Sequence, residues 1–69
     1  MKIPWQEGSQ IHVSINDGEV VISANKEGLL SLADQLAALA KEEPGTHIHY
    51  DKYNSLEEGS GNLIIEKIH

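Results

Sequence analysis

The chain has no cysteine, no arginine and no phenylalanine among its 69 residues. Without cysteine it can form neither a disulfide nor a thiolate metal site, so a bound metal would need histidine and carboxylate ligands. Without arginine it lacks the side chain that binds phosphate in a bidentate manner, and its formal net charge of -6 opposes phosphate binding further. These features exclude nucleic acid as an expected partner and favour a basic protein partner.

Long apolar runs are absent as well. No segment approaches the roughly 20 apolar residues that a membrane span requires, and the N-terminal residues lack the apolar centre of a signal peptide. The sequence therefore predicts a soluble, cytoplasmic protein that does not enter a membrane. Its length predicts a single domain, residues 1–69, with little room for a deep active-site cavity.

The first half of the chain predicts a hairpin followed by a helix. Apolar residues alternate with polar ones over residues 10–24 around an Asp17-Gly18 turn, which is typical of a β-hairpin. Leucine and alanine then recur at three- and four-residue spacing over residues 26–42, after a plausible N-cap at Asn25. The pattern places Asp34, Gln35 and Lys41 in solvent. The expected inward face of the hairpin consists of Ile11, Val13, Ile15, Val20 and Ile22.

The second half predicts two more strands, residues 46–50 and 62–68, joined by a long loop over residues 51–61. The expected fold is α+β with the order ββαββ: a mostly antiparallel four-stranded sheet with the helix packed on one face. The other face is open and partly apolar, so a homodimer through this open sheet face is one expectation. This face is expected to carry His12, Ser14, Val21, His47, His49, Ile64, Glu66 and Ile68.

His47, His49 and Asp51 have the spacing that places three polar side chains on one face of a strand. Two imidazoles and a carboxylate could bind a metal ion and leave a coordination position open for water, so a small metal-binding protein or enzyme is an alternative. A catalytic site would use a histidine as general base with Ser55 or Ser60 as nucleophile. The spacing matches no catalytic template, so we expect no enzyme, no catalytic residue and no cofactor.

The same segment, followed by an acidic loop with an aromatic residue, also suits recognition of a basic protein. Tyr53 lies between the histidines and the acidic pair Glu57-Glu58, and aromatic side chains ringed by acids are typical of protein interfaces. Tyr50 is a second candidate anchor. The sequence therefore favours protein binding over catalysis.

Several segments together resemble the Immunity protein 32 family of bacterial polymorphic toxin systems. The resemblance includes Gly45-Thr46-His47-Ile48-His49 with Asp51, the run Asn54-Ser55-Leu56-Glu57-Glu58-Gly59-Ser60, the strand Leu63-Ile64-Ile65-Glu66, and the helix start from Asn25 to Ala33. It covers most of the chain. It implies a small α+β immunity protein that binds a cognate toxin and neutralises it by occluding the toxin's site.

The resemblance and the acidic loop together define the predicted binding residues. The strand supplies two histidines and an aspartate, and the loop supplies an aromatic residue, acids, a leucine and a serine. The full set is His47, His49, Asp51, Tyr53, Leu56, Glu57, Glu58 and Ser60. The expected partner is a basic toxin protein.

Overall fold

The computed structural model describes residues 3–69, which form two β-hairpins joined by one helix. The elements are β1 (Ile11–Asn16), β2 (Glu19–Ala24), α1 (Lys26–Leu39), β3 (His47–Tyr50) and β4 (Leu63–Glu66). The predicted α+β fold and the order ββαββ are confirmed. The predicted strands extend one or two residues beyond the observed ones, and backbone hydrogen bonds from Gly45 to Lys67 and from Lys67 to Thr46 continue the second ladder past its strand ends.

The first hairpin turns where the sequence places it. Asp17 and Gly18 have φ values of 51° and 83°, the left-handed conformation that a tight two-residue hairpin turn requires. β1 and β2 pair antiparallel, with Asn16 opposite Glu19 and Ile11 opposite Ala24. This register places Ile11 and Val13 on one face, where both side chains are buried.

The four strands form two separate two-stranded sheets instead of one continuous sheet. The reason lies in the long loop, which occupies the outer edge of β1. The backbone N–H groups of Glu57 and Gly61 donate to the carbonyls of Ile11 and Val13, at 2.8 Å each. The Ser60 hydroxyl accepts from Val13 N–H at 3.1 Å. The loop thus satisfies the hydrogen-bonding groups that a neighbouring strand would otherwise pair.

Helix α1 begins where Asn25 caps it, since the Asn25 side-chain oxygen accepts from Gly28 N–H at 2.8 Å. It ends at Leu39, earlier than predicted, because the next turn tightens into shorter-range hydrogen bonds from Lys41 and Glu42. Lys67 Nζ caps this end by donating to the carbonyls of Ala40 and Glu42, each at 2.8 Å. Within residues 3–69, the helix is too short and too polar to cross a membrane.

The helix is rotated relative to the prediction, so that Gln35 lies in the core. The Gln35 amide donates to the Pro4 carbonyl at 2.7 Å, and its oxygen accepts from the Tyr50 hydroxyl at 2.7 Å. Ser31 is also buried and accepts from Gln6 N–H at 2.8 Å. The expectation that Gln35 faces solvent is wrong, because the segment before β1 packs along this side of the helix and satisfies its polar groups. The core consists of Ile11, Val13, Leu32, Leu39, Ile48, Tyr50 and Leu56.

The same rotation leaves leucines outside. Leu29 and Leu36 are exposed, and so are Ile15, Val20 and Ile22 on the predicted inward face of the hairpin. The prediction that these three hairpin side chains face the core is wrong, because all three are exposed. The helix packs at the other end of the hairpin, where a Cβ on Gly28 would lie only 2.6 Å from the Gln10 carbonyl and 3.1 Å from the Ala24 Cβ. The turn end of the hairpin therefore extends beyond the helix.

Candidate functional site

The second hairpin presents the two histidines to solvent. The β3–β4 register places His47 opposite Glu66 and His49 opposite Ile64. Residues that face each other across an antiparallel pair share one face, so these four side chains form a single exposed patch. We call this patch the outward face of the second hairpin. The alternate residues, Ile48 and Tyr50, point into the core, as two-residue periodicity requires.

Asp51 lies just beyond β3 and organises the start of the loop. Its Oδ1 atom accepts from the backbone N–H groups of Tyr53 at 2.9 Å and Asn54 at 3.0 Å. Its carbonyl accepts from the N–H groups of Ser55 and Leu56. The Asn54 side chain also bonds to Asp51, since its Oδ1 accepts from Asp51 N–H at 3.1 Å. The Asp51 carboxylate is thus used within a turn.

This turn places Tyr53 outside the core. The Tyr53 side chain is 87% exposed, and the Lys52 ammonium lies 5.2 Å from the centre of its ring. An aromatic ring on a backbone held by several hydrogen bonds can bury a large area without losing much loop entropy. Glu57 and Glu58 are exposed farther along the same loop. Tyr53 and these acids form the loop half of the predicted site.

Two predicted binding residues point inward. Leu56 is 5% exposed and belongs to the core, and the Ser60 hydroxyl is bonded to β1. Both fasten the loop to the first hairpin. Tyr50, the other candidate anchor, is fully buried, and its ring packs in a T-shaped arrangement with Trp5 at a centroid distance of 6.3 Å. Burial also raises the pKa of the Tyr50 hydroxyl.

The structure does not assemble a metal site from the predicted ligands. Among the described residues, no group of three histidine, aspartate or glutamate side chains is arranged to hold a metal ion. The Asp51 carboxylate faces its own turn, and His12 lies beside the loop glycine Gly59, on the other hairpin from the outward face. The metal alternative has no geometric support in residues 3–69.

An open cavity of about 420 Å³ adds a feature that the sequence did not indicate. It lies where the loop meets the end of the first hairpin, and Gln10, His12, Ser23 and Glu57 line it. These residues are distant in sequence and match no motif. Only the docking of the loop onto β1 brings Glu57 to them.

Comparison with known proteins identifies a family. The family described as Immunity protein 32 matches residues 19–68, from β2 through α1 and the second hairpin to the end of β4. The chain belongs to the Immunity protein 32 family. The match contains every residue of the outward face and of the loop, and it confirms the family that the sequence resembles. No curated protein and no solved structure matches the chain.

Membership in the Immunity protein 32 family indicates a role in toxin immunity. Immunity proteins are generally not enzymes. In this chain the Ser60 hydroxyl accepts from Val13 N–H, and the Asp51 carboxylate accepts from Tyr53 N–H. Of the predicted binding residues, five have exposed side chains: His47, His49, Tyr53, Glu57 and Glu58.

Proposed function

We propose that this chain binds a cognate bacterial toxin and neutralises it by occluding the toxin's active site. The contact surface consists of the outward face of the second hairpin together with the exposed side chains of the loop. The observation that carries the proposal is Tyr53, an almost fully exposed aromatic side chain on a loop that Asp51 holds in place. Solvent-exposed aromatic residues on ordered backbone are typical anchors of protein interfaces.

Charge supports a basic partner. The chain carries a net charge of -6, and Glu57, Glu58 and Glu66 are exposed on or beside the proposed surface. Acidic side chains around an aromatic anchor speed the approach of a basic protein and suppress wrong orientations. The toxin surface is therefore expected to be rich in lysine and arginine, and the complex should form more slowly as salt is raised.

The proposal is tested by calorimetry with an inactivated form of the toxin encoded beside this gene. We expect a binding ratio of one toxin per chain, and we expect the complex to block the active toxin in an activity assay. Replacing Tyr53→Ala should weaken binding by about thirtyfold, as loss of an interface anchor does. Leu29→Ala is a matched control, since Leu29 is an exposed apolar residue on α1, away from the surface. No complex with that toxin, or equal loss in both variants, would contradict the proposal.

The acidic part of the surface is tested by kinetics. Glu57→Gln and Glu58→Gln remove one charge each, and we expect the association rate to fall and to depend less on salt. Glu43→Gln is the control, because Glu43 is exposed but lies after α1, outside the surface. A partner that is not basic would give the same association rate for all three variants.

A further inference from the structure

The outer edge of β2 is a feature of the fold that the proposed function leaves unexplained. β2 pairs with β1 on one side, and within residues 3–69 no backbone group pairs with its other side. The two-residue turn closes on the Asn16–Glu19 pair, so Glu19 and Val21 bond to β1 while the N–H and C=O groups of Val20 and Ile22 point outwards. β1 differs, because the loop covers its outer edge.

The side chains of β2 make this edge apolar. Val20 is 58% exposed, Val21 and Ile22 are each 41% exposed, and the strand contains neither lysine nor proline. Natural proteins protect an exposed edge strand by placing lysine or proline on it, or by covering it with another part of the chain. Without such protection, an open apolar edge tends to pair with another strand. A six-residue edge of this composition indicates a pairing partner.

A second apolar surface lies beside this edge. The start of α1 packs against the end of β2, where Gly28 meets Ala24. At about 100° per residue, Leu29 and Leu36 lie on one side of the helix, away from Gln35, which bonds to Tyr50 and Pro4. Both leucines are exposed, and so are the small Ala33 and Ala37 on the same side of the helix. The edge of β2 and this side of α1 are thus both apolar and exposed.

We propose that a second copy of this chain covers the β2 edge and these leucines, with the two β2 strands pairing antiparallel across a two-fold axis. The outward-pointing N–H and C=O groups of Val20 and Ile22 must bond to the same groups of the second copy. A register that satisfies this condition places Val20 opposite Ile22 of the second copy, and Val21 opposite Val21 of the second copy on the two-fold axis. The two hairpins then form one four-stranded sheet, and both helices lie on the same face of it.

Self-pairing accounts for the exposure of the turn end of the hairpin. The helix covers only the end of the hairpin near Ala24, and leaves Ile15 and Val20 exposed at the turn end. In the antiparallel pair, the turn end of one copy lies beside the helix-bearing end of the other. The exposed leucines of each helix are thereby brought to the uncovered residues of the opposite hairpin.

The charges are compatible with this pairing. Glu19 is the only charged residue of β2, and the proposed register places it opposite Ser23 of the second copy. Lys26 is exposed and begins the helix three residues after Ser23, so the end of β2 that lies beside Glu19 of the other copy is followed by a lysine. The two Glu19 side chains lie at opposite ends of the paired strands. Since the two copies repel each other through their net charge, added salt should strengthen the dimer.

Sedimentation of the full chain from low micromolar to near-millimolar concentration tests the proposal. We expect a dimer, and Val20→Lys should raise its dissociation constant by about tenfold or more. The matched control is Ile64→Lys, since Ile64 is also 58% exposed but lies on the outward face of the second hairpin. A monomer at every concentration would overturn the proposal. So would a dimer that Ile64→Lys disrupts and Val20→Lys leaves intact.

Cross-linking gives a readout that does not depend on a disruptive substitution. The chain has no cysteine, so Val21→Cys introduces a single thiol at the two-fold axis. In a non-hydrogen-bonded antiparallel pair, the two β-carbons are close enough for a disulfide. Mild oxidation should link Val21→Cys into a covalent dimer and leave Ile64→Cys monomeric. Equal cross-linking of the two variants, or none of Val21→Cys, would exclude the proposed register.

Discussion

Tyr50 and Gln35 show how single residues depend on the core around them. The Tyr50 hydroxyl and the Gln35 amide oxygen satisfy each other at 2.7 Å in a fully buried position. A buried pair of this kind stabilises the fold only while both partners remain in place, because removing one leaves the other without a hydrogen bond. The two residues therefore determine how α1 and β3 sit together.

The raised pKa of Tyr50 predicts a loss of stability in base. Burial disfavours the tyrosinate, so the pKa in the folded state lies above the value of about 10 in the unfolded chain. The stability that the protonated, buried hydroxyl contributes is fully present below about pH 10 and is lost as the pH rises further. Urea unfolding from about pH 8 upward should show the decline. Tyr50→Phe should remove part of it and lower stability at neutral pH by about 1–3 kcal/mol. An identical basic decline in both proteins would contradict this assignment.

Gly28 is a second residue whose role only its neighbours reveal. Its place in α1 suggests that alanine would stabilise the helix by about 1 kcal/mol. The added Cβ, however, would lie 2.6 Å from the Gln10 carbonyl and 3.0 Å from Ile11 Cγ1. We expect Gly28→Ala to lower the unfolding free energy by about 1–3 kcal/mol, measured by urea titration. Gly61→Ala is the control with nearest neighbour at 4.0 Å, and it should change stability little.

At the scale of elements, the loop from Asp51 to Gly61 replaces a strand. It bonds to β1 through Glu57, Ser60 and Gly61, while its first turn is held by Asp51. The loop is therefore ordered at both ends and exposes Tyr53 between them. A binding loop requires an ordered backbone and exposed side chains, since binding then costs little conformational entropy.

The two possible roles of Asp51 can be separated by two substitutions. Asp51→Ala removes the acceptor of two backbone N–H groups, so hydrogen exchange in the loop should quicken and toxin affinity should fall by about tenfold. Asp51→Asn keeps an acceptor oxygen and removes the charge. If Asp51 acts by positioning the loop, Asp51→Asn binds almost as the parent chain does. Equal loss of affinity in both variants, with unchanged exchange, would assign Asp51 to direct contact with the toxin.

At the scale of the whole molecule, the two proposed surfaces lie on different parts of the fold. The proposed toxin surface consists of the second hairpin and the loop, whereas the proposed self-pairing uses β2 and the exposed leucines of α1. The two interactions should also respond oppositely to salt, because one joins unlike charges and the other joins two acidic chains. Because the two proposed surfaces share no residues, we expect the dimer to leave the toxin surface accessible.

This separation predicts an assembly with two toxins on one dimer. Light scattering of the mixture should give a two-to-two complex for the parent chain and a one-to-one complex for Val20→Lys, with the same affinity per site. Tyr53→Ala should show the reverse behaviour, a dimer that binds toxin weakly. A toxin that dissociates the dimer on binding would show that the two surfaces overlap.

Local patterns in the sequence were sufficient to predict the elements of this fold. The Asp17-Gly18 turn, the Asn25 cap and the alternation in His47–Tyr50 each act through neighbours a few residues away, so they identify two hairpins and a helix without tertiary information. The family resemblance rests on the same local segments. The exposure of His47 and His49 also followed from two-residue alternation.

Tertiary structure alone decided the rotation of the helix, the separation of the sheets and the role of each loop residue. An amphipathic pattern favours burying leucine, but the N-terminal segment supplied partners for Gln35 and Ser31, and burying them left Leu29 and Leu36 outside. The absence of cysteine excludes disulfides and thiolate metal sites, and the absence of arginine excludes bidentate arginine contacts with phosphate. The sequence alone determines these exclusions. What it exposes depended on which hydrogen bonds formed between residues far apart in the chain, and sequence spacing carries no information about those.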